Sequence, residues 1–502
     1  MKKQIFNPIL PLDVCIPDGE PHVFGDRVYI YGSHDKEGGE TFCMLDYTVY
    51  SAPVDDLKSW RKEGVIYKAT QDPDYNERPY MYAPDCVRGN DGKYYLYYAM
   101  SGPFGQGGYF GPIQVAVCDT PAGEFKYLGF VKNPDGTPAQ DFVCFDPGLL
   151  NDNGRIFLYS GTQYQFEEEE DFFENEESIK SEMTMFNRSR EEILEKAKKG
   201  SVMGPIVMEL EDDMMTLKGP AKHLIPYNIK GTSFEEHPFF EASSMRKVGD
   251  KYYYIYSSQQ NHELCYATSD YPDRDFTFGG TLVSNGDVGF NGRTLDDKMN
   301  MTGTTHGSIE NINGEWYVFY HRLTHKSDYS RQACAEKITI NPDGSINQVE
   351  ITSCGLNGGP LVAEGEYPAP IACNITNGKM PHGCNRIFTD SFPNVNNDGD
   401  EKYIDEICEG TLIGYKYFDF KDVTKVTVRA RLDVNNNDPV DADAKLEVRL
   451  EEKGPAIAEL PVGGVDKTWK EFSVEFDAVN GVHPLFFVYH GKCRIQIKEL
   501  IF

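Results

Sequence analysis

The stretch GDKYYYIYSS at residues 249–258 decides the fold, because a Gly-Asp turn leads directly into a short strand of aromatic and β-branched residues. The same order of turn, charged residue and strand returns four more times along the chain. Those copies are GDRVYIYGS (25–33), DGKYYLYYAMS (91–101), NGRIFLYSG (153–161) and NGEWYVFYHR (313–322). Repeated β units of this kind without helical crossovers predict a β-propeller, and five copies predict five blades.

One interval between copies, from 161 to 249, is longer than the others. Residues 167–200 within it carry the acidic run EEEEDFFENEE and then SREEILEKAKKG. We read this segment as a solvated surface insertion, an acidic loop followed by a short helix that ends at Gly200.

The rhythm of the chain changes after about Pro360, where Gly, Pro and Asn become frequent. Beyond that point, alternating segments such as KVTVRARL and AKLEVRL are separated by Asp, Asn and Gly turns, as in an antiparallel sandwich. We therefore predict an all-β protein with a five-bladed β-propeller at residues 1–365 and a jelly-roll-like β-sandwich at 366–502.

The charge and the apolar pattern exclude several classes of partner. The 502 residues carry a formal net charge of −30, which repels nucleic acid and anionic membrane surfaces. The N-terminal stretch reaches Asn, Pro and Asp before any signal-peptide core, and no run of about 18 apolar residues predicts a spanning helix. The twelve cysteines stand singly, as free thiols in a reducing compartment would. A cytoplasmic protein is the expectation.

Three acidic residues precede repeat strands at comparable distances. Asp18 lies in the turn IPDGE, Asp146 ends an apolar run in CFDPG, and Glu241 follows two phenylalanines in HPFFEA. Equivalent positions of successive blades converge on the central channel of a propeller, so these carboxyl groups are expected to share one pocket. A pair of carboxyl groups, one acid and one base, is what hydrolysis of a glycosidic bond requires.

Five ordered blocks of the chain resemble glycoside hydrolase family 43, a group of five-bladed propellers that act on arabinan, xylan and arabinoxylan fragments. The resemblance covers roughly residues 6–365. Its blocks run over residues 7–35, 82–102, 144–161, 239–258 and 304–322.

The resemblance implies a role for each of the three acids. Asp18 matches the general base, Glu241 the general acid, and Asp146 the carboxylate that raises the pKa of the acid and orients it. The family inverts anomeric configuration, so no covalent sugar intermediate is expected. One departure is that Asp18 is followed by Gly19, where many members have proline.

Four further positions are implied as walls of the same pocket. His306, in TTHGS, matches a histidine beneath the sugar and is the candidate contact, through water, of calcium or another ion. Arg331 matches an arginine that contacts substrate, with a surface ion pair as the alternative. Asp85, in YAPDC, lines or supports the pocket, and His34 with Asp35 are weaker candidates for the same wall.

The C-terminal part resembles a carbohydrate-binding module of family 6 type, notably in GTLIGYKYFDF (410–420). Such modules are β-sandwiches, often with a structural calcium ion. Either sugar binding or a purely structural role that braces the propeller fits the sequence.

We therefore expect an inverting exo-acting glycoside hydrolase that needs no cofactor for its chemistry. Its expected products are terminal α-L-arabinofuranosyl or β-D-xylosyl residues released from small arabinoxylan- or xylan-derived oligosaccharides. We lean towards an arabinofuranosidase that also has xylosidase activity, but the sequence leaves the preference between the two sugars, the linkage, the metal content and the oligomeric state open. Two alternatives remain at this point: a non-catalytic glycan-binding propeller, and a retaining hydrolase of the invertase type.

Overall fold

The computed structural model describes residues 4–73, 80–100, 111–163, 176, 179, 180, 183, 189–197, 203–226 and 229–502. Five antiparallel sheets follow one another along the chain up to residue 338, and a further β-rich sheet follows them. The predicted all-β class and the predicted five blades are therefore confirmed.

Each blade is built from strands that are consecutive in sequence. Blade 1 contains β1 (Glu20–Phe24), β2 (Arg27–Tyr31), β3 (Tyr47–Pro53) and β4 (Arg61–Tyr67). Blade 2 contains β5 (Asp85–Arg88), β6 (Tyr94–Tyr98), β7 (Gln114–Cys118) and β8 (Lys126–Phe130). Blade 3 contains β9 (Gly148–Asp152), β10 (Arg155–Ser160), β11 (Ile206–Leu210) and β12 (Lys222–His223). Blade 4 contains β13 (Phe239–Val248), β14 (Lys251–Ser258), β15 (Glu263–Ser269) and β16 (Thr277–Ser284). Blade 5 contains β17 (Ser308–Ile312), β18 (Glu315–Thr324) and β19 (Ser327–Ile338).

The five repeats of the sequence are the second strands of the blades, β2, β6, β10, β14 and β18. Their aromatic residues are buried on both faces of the strand, as the neighbours Tyr253 and Tyr254 are in blade 4, where they belong to two different hydrophobic clusters. Since each blade packs against two neighbours, both faces of its inner strands need apolar side chains. This explains why the repeats show continuous aromatic runs instead of strict alternation.

The N-terminal segment lies along the last strand of blade 5. The amide of Ile9 donates to the carbonyl of Ala333, and the side chain of Asn7 exchanges two hydrogen bonds with the backbone of Ala335. The ring is thus closed by hydrogen bonds between the two ends of the propeller.

Helix α1 (Arg190–Ala197) lies in the predicted insertion. The predicted end at Gly200 and nearly all of the acidic run lie outside the described residues. Short 3-10 helices occur at Ala69–Gln71, Phe290–Gly292, Leu295–Asp297, Gly355–Asn357 and Ala369–Ile371. In the described part of the chain, no helix has both the length and the apolar character that crossing a membrane requires.

The C-terminal strands join into one ten-stranded sheet around a large core of their own, with Phe418, Leu446 and Tyr489 fully buried. Two strands of 21 residues, β25 and β28, run through it side by side. Its members are β20 (Leu361–Val362), β21 (Glu366–Pro368), β22 (Asn374–Thr376), β23 (Asn394–Asp398), β24 (Glu401–Ile407), β25 (Leu412–Leu432), β26 (Lys445–Arg449), β27 (Ala456–Pro461), β28 (Lys470–His490) and β29 (Ile495–Ile501).

Buried polar contacts join this C-terminal unit to the propeller. Lys416 on β25 places its Nζ 3.1 Å from Asp287 and 2.8 Å from Glu350. The guanidinium of Arg322 on β18 donates to the carbonyls of Pro370 and Ala372. Because such groups are costly to leave unpaired in the interior, these contacts fix the two parts against each other.

Candidate active site

The first strand of each blade faces the centre of the propeller. β1 contacts β5 and β17, β9 contacts β5 and β13, and β13 contacts β17. These five strands form a closed ring, and the residues at their beginnings therefore meet at one end of the central channel.

The predicted acids occupy those beginnings. Asp18 comes two residues before β1 and Asp146 two residues before β9, whereas Glu241 is the third residue of β13. His306 comes two residues before β17, and Asp85 is the first residue of β5. Each blade thus contributes one of these residues near the start of its first strand.

The backbone at or next to each of the three acids is irregular, and this irregularity determines the direction of their side chains. Asp18 has φ 58° and Asp146 has φ 45°, in the left-handed region that aspartate tolerates better than most residues. Glu241 lies between two register shifts of the β13–β14 pairing, and Ala242 after it has φ 71°. Bulges of this kind turn a side chain away from the regular face of a strand and are common next to active sites.

Asp18 is held ionised by a cation. Its Oδ1 lies 2.7 Å from Nη1 of Arg331 and 3.3 Å from Nδ1 of His321, and the side chain is nearly inaccessible to solvent. Burial alone would raise the pKa of Asp18, but the Arg331 guanidinium and the His321 contact outweigh it and hold that pKa well below its usual range. A carboxylate that stays ionised can accept a proton from water.

Arg331 binds two carboxylates at once. Besides Asp18 it bridges Asp35, with Nε 2.8 Å from Oδ2 and Nη2 3.0 Å from Oδ1, and its guanidinium lies 4.7 Å from the ring centroid of Phe42. The residue is only 5% exposed. Arg331 therefore does not form the surface ion pair considered as an alternative. It forms buried ion pairs with Asp18 and with Asp35, which was predicted to line the pocket.

Asp146 and Glu241 form the other half of the site, and the pKa values of both carboxyl groups are raised. Asp146 is buried and accepts a hydrogen bond of 3.2 Å from the amide of Ala242, which ties it to the backbone next to Glu241. Burial and the neighbouring charges of Glu241 and Asp18 raise the pKa of Asp146 well above its usual value. Burial and the charge of Asp18 raise the pKa of Glu241 to about 8, with Arg331 acting in the opposite direction. Two such carboxyl groups do not both ionise at neutral pH, so this half of the site holds a proton.

His306 lies between the two halves. Its Nδ1 is 3.5 Å from Oδ2 of Asp146 and 3.8 Å from Oδ1 of Asp18. Burial lowers the pKa of His306 to about 4 although the charge of Asp18 favours the protonated form. The imidazole is therefore neutral near pH 7 and can donate or accept a hydrogen bond without adding charge.

Asp85 and His34 take different positions from the three acids. Asp85 is fully buried, with Oδ1 2.6 Å from Nε2 of His22 and Oδ2 accepting 2.6 Å from the amide of Leu149. It therefore links blades 1, 2 and 3 and supports the channel. The imidazole of His34 contacts the carbonyl of Asp46 at 2.8 Å, and among the described residues it forms no hydrogen bond to Asp18, Asp146 or Glu241.

Two site residues escaped the sequence reasoning. His321 is fully buried on β18 and contacts Asp18, and Asp328 is fully buried on β19, three residues before Arg331. The signal for His321 was its place at the end of the fifth repeat strand, EWYVFYHR, on the strand that follows His306. For Asp328 the sequence carried no signal, because aspartate in a polar hairpin is ordinarily exposed.

A metal ion at His306 would need further ligand atoms nearby. The described residues form two groups of three ligand-type side chains with donor atoms within 4.8 Å of one another, and His306 belongs to neither. Those groups are Glu20, His22, Asp85 and His237, Glu263, Cys265. An ion at His306 would thus need water for most of its coordination, and the assignment stays a prediction.

Comparisons with known proteins identify the family of the chain. The family model "Glycosyl hydrolases family 43" matches residues 5–180 and 185–346, which include all five blades. A xylosidase/arabinosidase of Thermoclostridium stercorarium is 41% identical over 99% of this chain and 99% of that protein. Xylosidase/arabinosidase 43A of Humicola insolens is 30% identical over 66% of this chain and 96% of that protein. Among solved structures, the GH43_1 enzyme from Xanthomonas citri complexed with xylotriose is 26% identical with a TM-score of 0.51, over 69% of this chain and 94% of that one.

Proposed function

Since this chain belongs to glycosyl hydrolase family 43 and is a glycoside hydrolase, we propose that it releases terminal α-L-arabinofuranosyl and β-D-xylosyl residues from arabinoxylan- and xylan-derived oligosaccharides, with inversion at the anomeric carbon. The relatives from Thermoclostridium stercorarium and Humicola insolens are both called xylosidase/arabinosidase, and the first is similar along nearly the whole chain. A glycosidase of this kind needs no cofactor, because two carboxyl groups perform the chemistry.

The division of charge within the pocket carries the proposal. Asp18 has a cation at 2.7 Å and stays ionised, whereas Glu241 has a raised pKa and stays protonated at neutral pH. Two carboxyl groups whose surroundings separate their pKa values in this way are suited to act as base and acid.

Each side chain then has one task in the reaction. Asp18 removes a proton from the attacking water, and Glu241 gives its proton to the oxygen of the leaving group, so that the enzyme ends the step with the two protonation states exchanged. Asp146 holds the backbone beside Glu241 through the Ala242 amide and keeps the acid oriented. His306, neutral and between the two halves, offers a hydrogen bond to the bound sugar.

Small soluble oligosaccharides are the proposed substrates, and the cytoplasm is the proposed location. The net charge of −30 and the twelve free cysteines support a reducing compartment without anionic partners. Exo-action on imported fragments follows from that location, because polymers do not enter cells.

For the C-terminal unit we propose a fold of the family 6 carbohydrate-binding type with a bracing role. Its buried contacts to the propeller, such as those of Lys416 and of Arg322, support bracing. The indole of Trp469 is covered by the guanidinium of Arg431, 4.2 Å from its ring centroid, and donates its N–H to Glu401. This ring is thus engaged within the protein instead of standing open as a sugar platform.

The test is initial rates on 4-nitrophenyl α-L-arabinofuranoside and β-D-xyloside for the wild type, Asp18→Asn and Glu241→Gln. We expect activity of the wild type on both glycosides and a loss of at least about 100-fold in each variant, measured for Glu241→Gln on an arabinoxylan-derived oligosaccharide whose leaving group needs protonation, because this is the usual size of an acid–base contribution. Glu475→Gln, which alters an exposed side chain on β28, is the matched control and should keep full activity. Activity that survives in both site variants would refute the assignment, and a wild type inactive on both glycosides would favour a glycan-binding protein.

The stereochemistry is tested separately by following the anomeric protons of the released sugar by ¹H NMR. The first product detected should have the configuration opposite to that of the substrate. Retention would point to a covalent intermediate and to the invertase type of chemistry.

A further inference from the structure

The segment of residues 36–42, here called the wall loop, lies directly beside the proposed base. It follows Asp35, which shares three hydrogen bonds with Arg331. It ends at Phe42, whose partly exposed ring has its centroid 4.7 Å from the guanidinium carbon of Arg331. Because Arg331 also binds Asp18, a sugar that reacts at Asp18 must lie next to this loop. The position of the wall loop therefore bears on substrate binding.

A hairpin of the C-terminal unit reaches the wall loop. Lys402 on β24 places its Nζ 2.6 Å from Oε2 of Glu37, and the side chain of Asn397 on β23 donates 3.3 Å to the same oxygen. Asn397 and Lys402 face each other in the pairing of β23 with β24, so one short hairpin supplies both contacts. Glu37 belongs to the connection between β2 and β3. These contacts thus join the C-terminal unit to blade 1 across 365 positions of sequence.

The same hairpin is also bound to blade 5, close to Arg331. Nε2 of His325, at the turn between β18 and β19, lies 2.9 Å from Oδ1 of Asn397. Nδ1 of His325 lies 3.1 Å from Oγ of Ser330, and this hydroxyl accepts a hydrogen bond of 3.2 Å from the amide of Gly38. Ser330 is the residue before Arg331. The wall loop is therefore held from two sides, by the hairpin and by blade 5.

The ion pair between Glu37 and Lys402 is largely removed from water. The exposed fraction of the side chain is 16% for Glu37 and 10% for Lys402. A pair of this kind adds little net stability, because the cost of taking two charges out of water offsets most of their attraction. Removing one partner leaves an uncompensated charge, which favours a loop position closer to water. The pair is thus better suited to fix the position of the loop than to stabilise the fold.

We propose that Lys402 is a positioning residue for the substrate pocket, which through its ion pair with Glu37 holds the wall loop closed against Arg331. This inference rests on the proposed role of Asp18, because the loop affects the reaction only if the sugar is processed beside it. It gives the C-terminal unit a defined task in substrate binding in addition to bracing. The catalytic groups themselves all remain within the propeller.

The consequence should appear in KM. In Lys402→Met the unpaired carboxylate of Glu37 favours an open loop, in which Phe42 no longer borders the pocket. The apparent affinity for a sugar falls with the fraction of molecules whose loop is closed, whereas the bound sugar selects the closed form. If that fraction falls to about one fifth, KM rises about fivefold and kcat is nearly unchanged. A purely structural role has a different signature, because loss of folded enzyme lowers kcat and leaves KM as it was.

The experiment measures kcat and KM of the full-length protein on whichever of the two 4-nitrophenyl glycosides the wild type cleaves faster. The wild type is compared with Lys402→Met and with the double variant Glu37→Gln, Lys402→Met. Lys445→Met is the matched control, because Lys445 pairs with Glu459 at 2.6 Å within the C-terminal sheet. It removes the same charge from the same unit and should leave both constants unchanged.

A KM that rises in Lys402→Met, and rises no further in the double variant, supports the proposal, because Glu37 then acts through Lys402 alone. A KM equal to that of the wild type overturns it, whatever happens to kcat or to the melting temperature. A second, additive rise in the double variant overturns it as well. Glu37→Gln carries the same test if Lys402→Met does not fold, since it breaks the pair from the other side.

Failure of this inference is distinguishable from failure of the proposed function. If Asp18→Asn abolishes activity and the KM of Lys402→Met is unchanged, only the role of Lys402 is refuted. If Asp18→Asn remains active, the base itself is wrongly assigned and both proposals fall.

Discussion

Replacing Arg331 by methionine tests the electrostatic basis of the site most directly. The substitution keeps much of the apolar stem and its contact with Phe42, but it removes the guanidinium that binds Asp18 at 2.7 Å and Asp35 at 2.8 and 3.0 Å. Two buried carboxylates then lose the cation they share.

The expected loss of stability follows from that geometry. Removing one partner of a buried ion pair costs about 3–5 kcal/mol, because the remaining charge is left without compensation. The contribution of Asp18 to stability depends on pH. Its pKa in the folded protein is depressed, so its contribution to stability is present above the unfolded value of about 3.9 and is lost as pH falls below it. At pH 7 the full contribution is present, and Arg331→Met should lower the free energy of unfolding there by about 3 kcal/mol or more.

The effect on activity follows from the same free energy. If about 3 kcal/mol of the lost interaction falls on the ionised form of Asp18, its pKa rises by about two units, since one unit corresponds to about 1.4 kcal/mol. The base is then protonated at a pH where it is ionised in the wild type. The acid limb of kcat/KM, which in the wild type lies below the usual range of an aspartate, should therefore move up by at least about two pH units, towards that range. The alkaline limb should not move down, because Arg331 lowers the pKa of Glu241 and its removal favours the protonated acid.

Urea unfolding at pH 7 and a pH–rate profile from pH 3 to pH 8 measure these two effects. Arg274→Met is the matched control, because Arg274 is an exposed arginine whose ion pairs lie at the surface, and its loss should cost less than about 1 kcal/mol. An acid limb of Arg331→Met that coincides with that of the wild type would refute the reasoning, because Asp18 would then owe its ionisation to something other than this guanidinium.

Three other predictions follow from individual features. The kcat/KM of the wild type should fall above about pH 8, where Glu241 loses its proton, and a profile flat to pH 10 would contradict its role as the acid. Gly307→Ala should lower the melting temperature by about 1–4 °C, because its Cβ would collide with the carbonyl oxygen of Phe319, whereas Gly219→Ala, with nothing within 4 Å, should leave it nearly unchanged in the same calorimetric scan. Residues 1–365 expressed alone should aggregate on size-exclusion chromatography or be inactive in the rate assay. They lack residues 381–388, which pair with Thr302 and with β19, and they lack Lys416, which contacts Asp287. A soluble and fully active propeller would show that neither set of contacts is needed.

The propeller could be predicted from the sequence because the same turn-and-strand pattern occurs once in each blade. Five aromatic strands after Gly or Asn turns specify five equivalent hairpins, and equivalent hairpins around a ring place equivalent residues at its centre. This is why the repeat pattern alone singles out Asp18, Asp146, Glu241 and His306 among 79 acidic residues and 11 histidines. The boundary at residue 365 was less well specified, since β20 at Leu361–Val362 already pairs with β25 of the C-terminal sheet.

Interactions between distant parts of the chain could not be predicted. Asp35 and Arg331 are separated by 296 positions, and nothing in either local sequence shows that they share three hydrogen bonds. Residues 381–388 were harder still to predict. They carry no strand pattern of their own and obtain their conformation by pairing with Thr302 and with β19. Local propensity does not encode such pairing, which depends on how the C-terminal unit docks.

The position of Arg331 explains how one cavity can hold a base and an acid. Arg331 is bound to Asp18 and Asp35, so its positive charge is neutralised on one side of the site. Asp146, Glu241 and Asp328, which do not share an ion pair with Arg331, have raised pKa values with burial as the first cause. Ionisation of any one of them makes ionisation of the next more costly, so this group keeps at least one proton well above the pH at which a lone glutamate would lose it. The position of this cation beside Asp18 therefore supports the proposed assignment of Asp18 as the base and Glu241 as the acid.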